Sequence, residues 1–239
     1  MTAPLLREPL RIATLFLDAG GVLCHPSWTR VSAALAAQGI SVSSATLAAA
    51  EPHAKREIDT ASLVGATDDK KRGWLYFNRV LELAGVTVCD ATDAAIAEVR
   101  DYHGQHNVWE DVPPDVPGTL VALRALGLKL VVVSNANGRL RALFDRVGLT
   151  QYFDVVLDSH EWAVEKPDPR LFRIALEQSN SSAATTAHVG DLFHIDVTGA
   201  RAAGLAEGVL LDTAGLYPDV DCRRLRALDE LIPAIVLAR

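Results

Sequence analysis

Polar residues stand directly after three short apolar runs in this sequence. They are Asp18 after IATLFL, Ser134 and Asn135 after LKLVVV, and Asp191 after AHVG. Lys166 lies in EKPDP, at the entrance to a predicted helix, and Asp196 follows Asp191 by 5 residues. If these runs are strands of one parallel sheet, their carboxyl ends bring the polar side chains to the same edge.

This combination of carboxylate, hydroxyl, amide and ammonium groups suits a phosphorylated ligand and Mg²⁺. Crowded carboxylates raise one another's pKa unless a cation lies among them, and Mg²⁺ prefers oxygen ligands. A phosphate needs hydroxyl, amide and ammonium donors. A carboxylate can also attack phosphorus and form an aspartyl-phosphate, which makes Asp18 the predicted nucleophile. Gly20 and Gly21 let the backbone approach the ligand closely and adopt positive φ, so Gly21 is a predicted substrate-binding position.

Each of these stretches also has an ordinary structural interpretation. An aspartate after a strand usually belongs to a turn or caps a helix, and Ser134-Asn135 is common loop chemistry. Lys166 in EKPDP is typical of a solvated lysine at a helix start. The order and placement of all four stretches together favour the functional interpretation.

The elements that must position these residues alternate between strands and helices. The apolar runs Ile12–Leu17, Leu128–Val133, Phe153–Leu157, Ala187–Gly190 and Gly208–Leu211 suit strands that are covered on both faces. Helical patterns lie between the later runs, with proline at their starts and glycine at their ends. The alternation predicts an α/β fold with a parallel sheet and right-handed crossovers.

One long interval interrupts this alternation directly after the first strand. Between Leu23 and about Val112 the sequence predicts helices over roughly 27–38, 44–57, 69–83 and 92–102. We therefore expect residues 1–24 and 112–239 to form the core and residues 25–111 to form a helical insert. An insert at this point lies beside the carboxyl end of the strand, where it can act as a lid.

Composition narrows the possible partners. The net charge of −7 and the lack of a basic stretch argue against nucleic acid and anionic membranes. No apolar run is long enough to span a membrane. Three scattered cysteines indicate reduced thiols and a cytoplasmic location rather than disulfides or zinc. The sequence predicts no oligomeric state.

The motifs resemble those of the haloacid dehalogenase-like hydrolase superfamily, which consists mostly of phosphatases. The family's first motif is an apolar strand followed by Asp-x-Asp-Gly-(Thr/Val)-(Leu/Val), and this chain has LFLDAGGVL. The later motifs correspond to LVVVSNAN, EKPDPRLF and HVGDLFHIDVTGARAAGL. The resemblance extends from Ile12 to about Leu211 and implies a Rossmann-like core, a helical cap between the first two motifs, and a small-molecule phosphate ester as substrate.

The resemblance also implies a role for each matching position. Asp18 would be nucleophile and magnesium ligand, and the backbone carbonyl of Gly20 would be a second ligand. Ser134, Asn135 and nearby backbone N–H groups would hold the phosphoryl oxygens, while Lys166 would offset their charge. Asp191 would bind Mg²⁺, and Asp196 would support the ion directly or through water.

Gly20 departs from the family pattern. Phosphatases of this family carry aspartate at that position, where it protonates the leaving oxygen and then activates water. Positioned acid–base help is worth about 10²–10⁴-fold, although electrostatics still carry much of phosphoryl transfer. A phosphatase with Gly20 would favour acyl or anomeric phosphates, or would use another residue; His25 and His194 are candidates by sequence proximity.

Two further hypotheses remain open at this stage. Haloacid dehalogenases of the family also lack the second aspartate, so the reaction can instead be attack on a carbon–halogen bond. The protein can also be a binding module that has lost activity. Dehalogenation needs no metal, and this chain keeps Asp191 and Asp196, so the sequence favours phosphoryl chemistry with Mg²⁺.

Overall fold

The computed structural model describes residues 8–238 and contains two compact units. One unit consists of Met1–His25 and Val112–Arg239, and the other consists of Pro26–Asp111. Residues 1–7 and Arg239, which belong to the predicted core, lie outside the described residues. The boundaries differ from the predicted ones by one residue, because His25 belongs to the first unit.

The first unit contains a six-stranded parallel sheet with the order β4-β3-β2-β5-β6-β7. Its strands are β2 (Thr14–Leu17), β3 (Lys129–Ser134), β4 (Val155–Asp158), β5 (Thr186–Gly190), β6 (Glu207–Leu211) and β7 (Arg223–Leu225). Every residue of β2 and β5 is buried, as expected for strands that are covered on both faces. The α/β fold with a parallel sheet is therefore confirmed.

The first predicted strand is divided in the structure. Leu10–Ile12 forms β1, which pairs in parallel with β8 (Ile235–Leu237) in a separate two-stranded sheet. Only Thr14–Leu17 enters the main sheet as β2. The apolar pattern of Ile12–Leu17 did not distinguish these two strands because both have buried side chains.

Helices surround the main sheet in the first unit. They are α6 (Val116–Ala125), α7 (Leu140–Val147), α8 (Ser159–Trp162), α9 (Pro169–Gln178) and α10 (Thr198–Ala202). Capping residues that are visible in the sequence begin and end some of these helices. Asp168 accepts a hydrogen bond from the Arg170 amide at the start of α9, and Gly148 closes α7 in the left-handed region.

The second unit is helical throughout its regular elements. Its helices are α1 (Trp28–Ala37), α2 (Ser44–Ile58), α3 (Ala61–Ala66), α4 (Asp69–Leu83) and α5 (Asp90–His106). Ser43 caps α2 and Asp68 caps α4 through their side-chain oxygens. A single cluster of buried apolar residues, which includes Leu35, Phe77 and Val99, forms the core of this unit. Within residues 8–238, no helix has the length and hydropathy needed to cross a membrane.

Candidate active site

The order of the strands places the predicted site residues side by side. β2 lies between β3 and β5, with Leu17 opposite Val132 on one side and Val189 on the other. Asp18 follows β2, Ser134 ends β3, and Asp191 follows β5. Parallel strands present their carboxyl ends at one edge, so the structure brings these residues together as the sequence predicts.

Asp18 is fixed at the end of β2 by both its backbone and its side chain. Its amide donates to the Val189 carbonyl at 2.9 Å, which keeps the residue in register with β5. Its Oδ1 accepts hydrogen bonds from the Ala19 amide at 2.8 Å and from Lys166 Nζ at 2.9 Å. Among residues 8–238, Oδ2 has no hydrogen-bond partner, which leaves one oxygen of a positioned carboxylate open to a ligand.

The turn after Asp18 depends on Gly21 rather than on Gly20. Gly21 has a φ of 79° and its amide donates to the Cys24 carbonyl at 2.8 Å. The amides of Leu23 and Cys24 close the turn by donating to the Ala19 carbonyl. The positive φ predicted for Gly21 is present, but its N–H is used within the turn. Gly20 lies outside the left-handed region, so its backbone can accommodate a side chain.

Lys166 lies between two carboxylates. Its Nζ is 2.9 Å from Asp18 Oδ1 and 2.7 Å from Asp196 Oδ1, and both Lys166 and Asp196 are buried. Burial alone would lower the pKa of Lys166, but the charges of Asp18 and Asp196 outweigh it and raise this pKa. Burial likewise opposes ionisation of Asp196, yet Lys166 and a hydrogen bond from His188 hold the Asp196 pKa below its ordinary range. The pair is therefore ionised at neutral pH.

Asn135 holds the backbone of Lys166. Its Oδ1 accepts from the Lys166 amide at 2.7 Å, and its Nδ2 donates to the Lys166 carbonyl at 3.0 Å. The motif implies a contact of Asn135 with the phosphoryl oxygens and gives no indication of this contact with Lys166. In the structure both ends of the amide position the lysine that follows α8 in the chain.

Three carboxylates meet at the same edge. One oxygen from each of Asp18, Asp191 and Asp196 lies within 4.8 Å of the others. With Lys166 included, three negative charges and one positive charge leave a net charge of −2. An all-oxygen donor set with this charge fits a divalent cation such as Mg²⁺. Asp196 has little capacity left for a cation, because Oδ1 accepts from Lys166 and His188 and Oδ2 accepts from the Leu192 amide.

Ser134 is buried at the end of β3. Within residues 8–238 its hydroxyl has one long contact, 3.4 Å from Oγ to the Asn135 carbonyl oxygen. A hydroxyl in so weak an interaction is available to donate to a ligand oxygen. The position at a strand end beside Asp18 is consistent with the predicted contact to a phosphoryl group.

A local departure from α-helical geometry positions Asp196. Residues Phe193–Val197 form one π-helical turn, in which the Thr198 amide donates to the Phe193 carbonyl five residues earlier. Such turns are rare and occur frequently at functional sites. The carboxylate lies directly against Gly190, where an added Cβ would be 2.0 Å from Asp196 Cγ.

We expect Gly190→Ala to lower the free energy of unfolding by about 1–3 kcal/mol or more, because the new methyl group must displace Asp196. Urea unfolding of the purified protein measures this change. Gly118→Ala is the matched control, since an added Cβ at Gly118 in α6 meets nothing within 4 Å and alanine favours a helix. Equal stability of the two variants would contradict the close packing of Gly190 on Asp196.

His188 is a site residue that sequence reasoning missed. It lies in β5, fully buried, with Nε2 3.0 Å from Asp196 Oδ1. Burial lowers the pKa of His188, which keeps the imidazole neutral at neutral pH. The one feature of the sequence that could have identified His188 is its place as a histidine inside an otherwise apolar predicted strand. The other two histidines considered, His25 and His194, stay predictions as acid–base groups.

The fold and the site together define a class of protein: an α/β enzyme with an acidic, lysine-containing site at the carboxyl edge of its parallel sheet. The family can be stated from sequence as well. The model of the haloacid dehalogenase-like hydrolases matches residues 12–204, and the chain belongs to that family.

Individual relatives carry the family name or the name of a phosphatase. Haloacid dehalogenase-like hydrolase domain-containing protein 3 of Bos taurus is 33% identical over 68% of this chain and 66% of its own length. Ribulose-1,5-bisphosphate 5-phosphatase of Halopiger xanaduensis is 34% identical over 62% of this chain and 61% of its own length. The chain therefore spans less than two thirds of these curated relatives.

A solved structure confirms the fold over nearly the whole chain. The 2-haloacid dehalogenase from Pseudomonas syringae pv. Tomato DC3000 superposes with a TM-score of 0.57 and 26% identity, covering 93% of this chain and 97% of that one. A fold shared by enzymes with different chemistries does not by itself choose between them, so the choice depends on the site.

Proposed function

We propose that the protein is a magnesium-dependent hydrolase of small phosphate esters that works through an aspartyl-phosphate on Asp18. The observation that carries this proposal is the meeting of Asp18, Asp191 and Asp196 within 4.8 Å, with a net charge of −2 after Lys166 is counted. Relatives named as phosphatases support the same substrate class. Carbon–halogen hydrolysis gives no reason to gather this much negative charge.

In this proposal the unit of Met1–His25 and Val112–Arg239 is the catalytic core, and the helical unit Pro26–Asp111 is the cap. Asp18 and Asp191, with support from Asp196 and the Gly20 carbonyl, would hold the Mg²⁺ ion. When bound, Mg²⁺ offsets negative charge on the phosphate and the carboxylates.

The first half of the reaction transfers the phosphoryl group to Asp18. The carboxylate forms an O–P bond while the bond between phosphorus and the ester oxygen breaks, and the alcohol or acid leaves with its electron pair. Lys166 stabilises negative charge on the transferring group, and the Ser134 hydroxyl donates to a phosphoryl oxygen. Asn135 contributes by holding the Lys166 backbone in place.

The second half of the reaction returns Asp18 to its starting state. Water attacks phosphorus, the O–P bond to Asp18 breaks, and inorganic phosphate leaves. Because Gly20 offers no carboxyl group, neither the leaving oxygen nor this water receives help from position 20. We therefore expect fast turnover only for substrates with good leaving groups, such as acyl or anomeric phosphates.

Removing the metal is expected to abolish hydrolysis, because the net negative charge at the site would then repel the phosphate. The measurement is phosphate release from acetyl phosphate, an anomeric sugar phosphate and simple alkyl phosphates, with Mg²⁺ and with EDTA. Circular dichroism in EDTA shows whether the fold is retained. Activity that persists undiminished in EDTA would refute the magnesium-dependent mechanism.

A carbon–halogen hydrolase is the second candidate, and Gly20 is the observation that favours it. In that reaction Asp18 attacks carbon, a halide leaves without needing a proton, and water then cleaves the ester formed on Asp18. Release of halide from a 2-haloacid in EDTA would establish this function. A protein that shows neither reaction and traps neither beryllofluoride nor vanadate would be a binding module.

A further inference from the structure

His188 contacts the site from within strand β5. It is fully buried in β5, and its Nε2 lies 3.0 Å from Asp196 Oδ1. The same oxygen accepts from Lys166 Nζ at 2.7 Å. The imidazole also packs edge-to-face against Phe172, with ring centroids 4.9 Å apart. The imidazole therefore contacts the Asp196 carboxylate through Nε2 and the Phe172 ring through van der Waals packing.

The hydrogen bonds fix the tautomer of this histidine. Within residues 8–238, Nδ1 is buried and has no hydrogen-bond partner. A proton on Nδ1 would be buried without an acceptor, whereas a proton on Nε2 points at a carboxylate. The ring therefore carries its proton on Nε2 and donates it to Asp196.

The three donors leave the Asp196 carboxylate no freedom to rotate. Lys166 and His188 occupy Oδ1, and the Leu192 amide donates to Oδ2 at 3.0 Å. Gly190 closes the remaining side, since even a Cβ there would overlap with Asp196. Without His188, Oδ1 would keep only the Lys166 ammonium as a partner.

We infer that His188 is a positioning residue, which anchors Asp196 so that Asp196 holds the Lys166 ammonium against Asp18 and the transferring group. This inference rests on the proposed function. During the reaction Asp18 loses its negative charge as the O–P bond forms and the leaving oxygen takes the electron pair, so Asp196 alone keeps Lys166 beside the phosphoryl group. His188 holds the Asp196 carboxylate in place and does not itself contact the substrate.

The effect of His188 should appear in kcat rather than in KM, because the interaction matters most when charge moves. We expect His188→Leu to lower kcat by about 10–100-fold with little change in KM, which is the usual cost of losing an outer hydrogen-bond partner. His188→Gln keeps an N–H donor at similar reach and should recover most of kcat.

Phe172→Leu is the matched control for packing. It alters the contact with the same imidazole but leaves the hydrogen bond to Asp196 intact. We expect Phe172→Leu to lower the melting temperature without a matching loss of kcat. If Phe172→Leu and His188→Leu reduce kcat equally, or if His188→Gln fails to recover activity in a folded protein, His188 has only a structural role and the inference is overturned.

Two measurements are independent of the reaction. The ¹⁵N spectrum of the imidazole should show a neutral ring protonated on Nε2, and the Nδ1-protonated form would overturn the inference. In a double-mutant cycle, His188→Leu should lower stability in the wild-type background and far less in Asp196→Ala, which has no acceptor for the imidazole N–H; additive effects would also overturn it. An inactive wild-type protein that shows both expected results would refute the proposed function while leaving the anchoring of Asp196 established.

Discussion

Asp18→Asn is expected to reduce phosphate ester hydrolysis by about 10⁴–10⁶-fold, the range seen when a covalent nucleophile is removed. Asparagine has nearly the same shape but carries an uncharged amide that does not attack phosphorus. The substitution also removes one of the two carboxylates that contact Lys166. Steady-state phosphate release with Mg²⁺ measures the loss, and mass spectrometry tests for the phosphorylated wild-type protein.

Asp219→Asn provides the comparison for Asp18→Asn. Asp219 is an exposed aspartate in the same unit, so the exchange of carboxylate for amide is chemically identical. Its activity should equal that of the wild type. Phosphate release by Asp18→Asn at the wild-type rate would place the nucleophile elsewhere and end the proposed mechanism.

Gly20→Asp is expected to raise kcat by about 10²–10⁴-fold on alkyl phosphates, because it restores a group able to protonate the leaving oxygen. The backbone permits the change, since the left-handed conformation of this turn falls on Gly21. On acetyl phosphate, whose leaving group needs no proton, the gain should be far smaller. The quantity to measure is therefore the increase in kcat on alkyl phosphates divided by the increase in kcat on acetyl phosphate.

Gly20→Asn distinguishes the effect of proton transfer from the effect of adding a side chain at this position. It adds a side chain of the same size with no acidic proton, and it should not raise turnover of alkyl phosphates. If Gly20→Asp also gives no gain while Mg²⁺ still binds, another group already supplies the proton. His25→Ala and His194→Ala would then identify whether one of the two candidate histidines does so.

Residue type and position at strand ends were sufficient to predict where Asp18, Ser134 and Asp191 would meet. Apolar runs identify buried strands, and a parallel sheet places the residues that follow them at one edge. The hydrogen-bond partners of the side chains within the site were not predictable in this way. The amide of Asn135 is suited to a phosphate, and that contact stays a prediction, but its contact with the Lys166 backbone depends on the folded path of the chain.

The sequence did not predict strands β7 and β8. β7 begins with two arginines and has only Leu225 buried, so it contains no apolar run. β8 is apolar, but it pairs with β1 at the opposite end of the chain. Pairings over such distances depend on tertiary packing that a local pattern does not record.

The discontinuous first unit has a consequence for synthesis on the ribosome. β2 pairs with β3 and β5, which emerge more than a hundred residues later, whereas Pro26–Asp111 is continuous and has its own core. The helical unit can therefore fold while β2, a strand with every residue buried in the finished sheet, still lacks both neighbours. Until β5 is made, this exposed strand is open to aggregation and to chaperones.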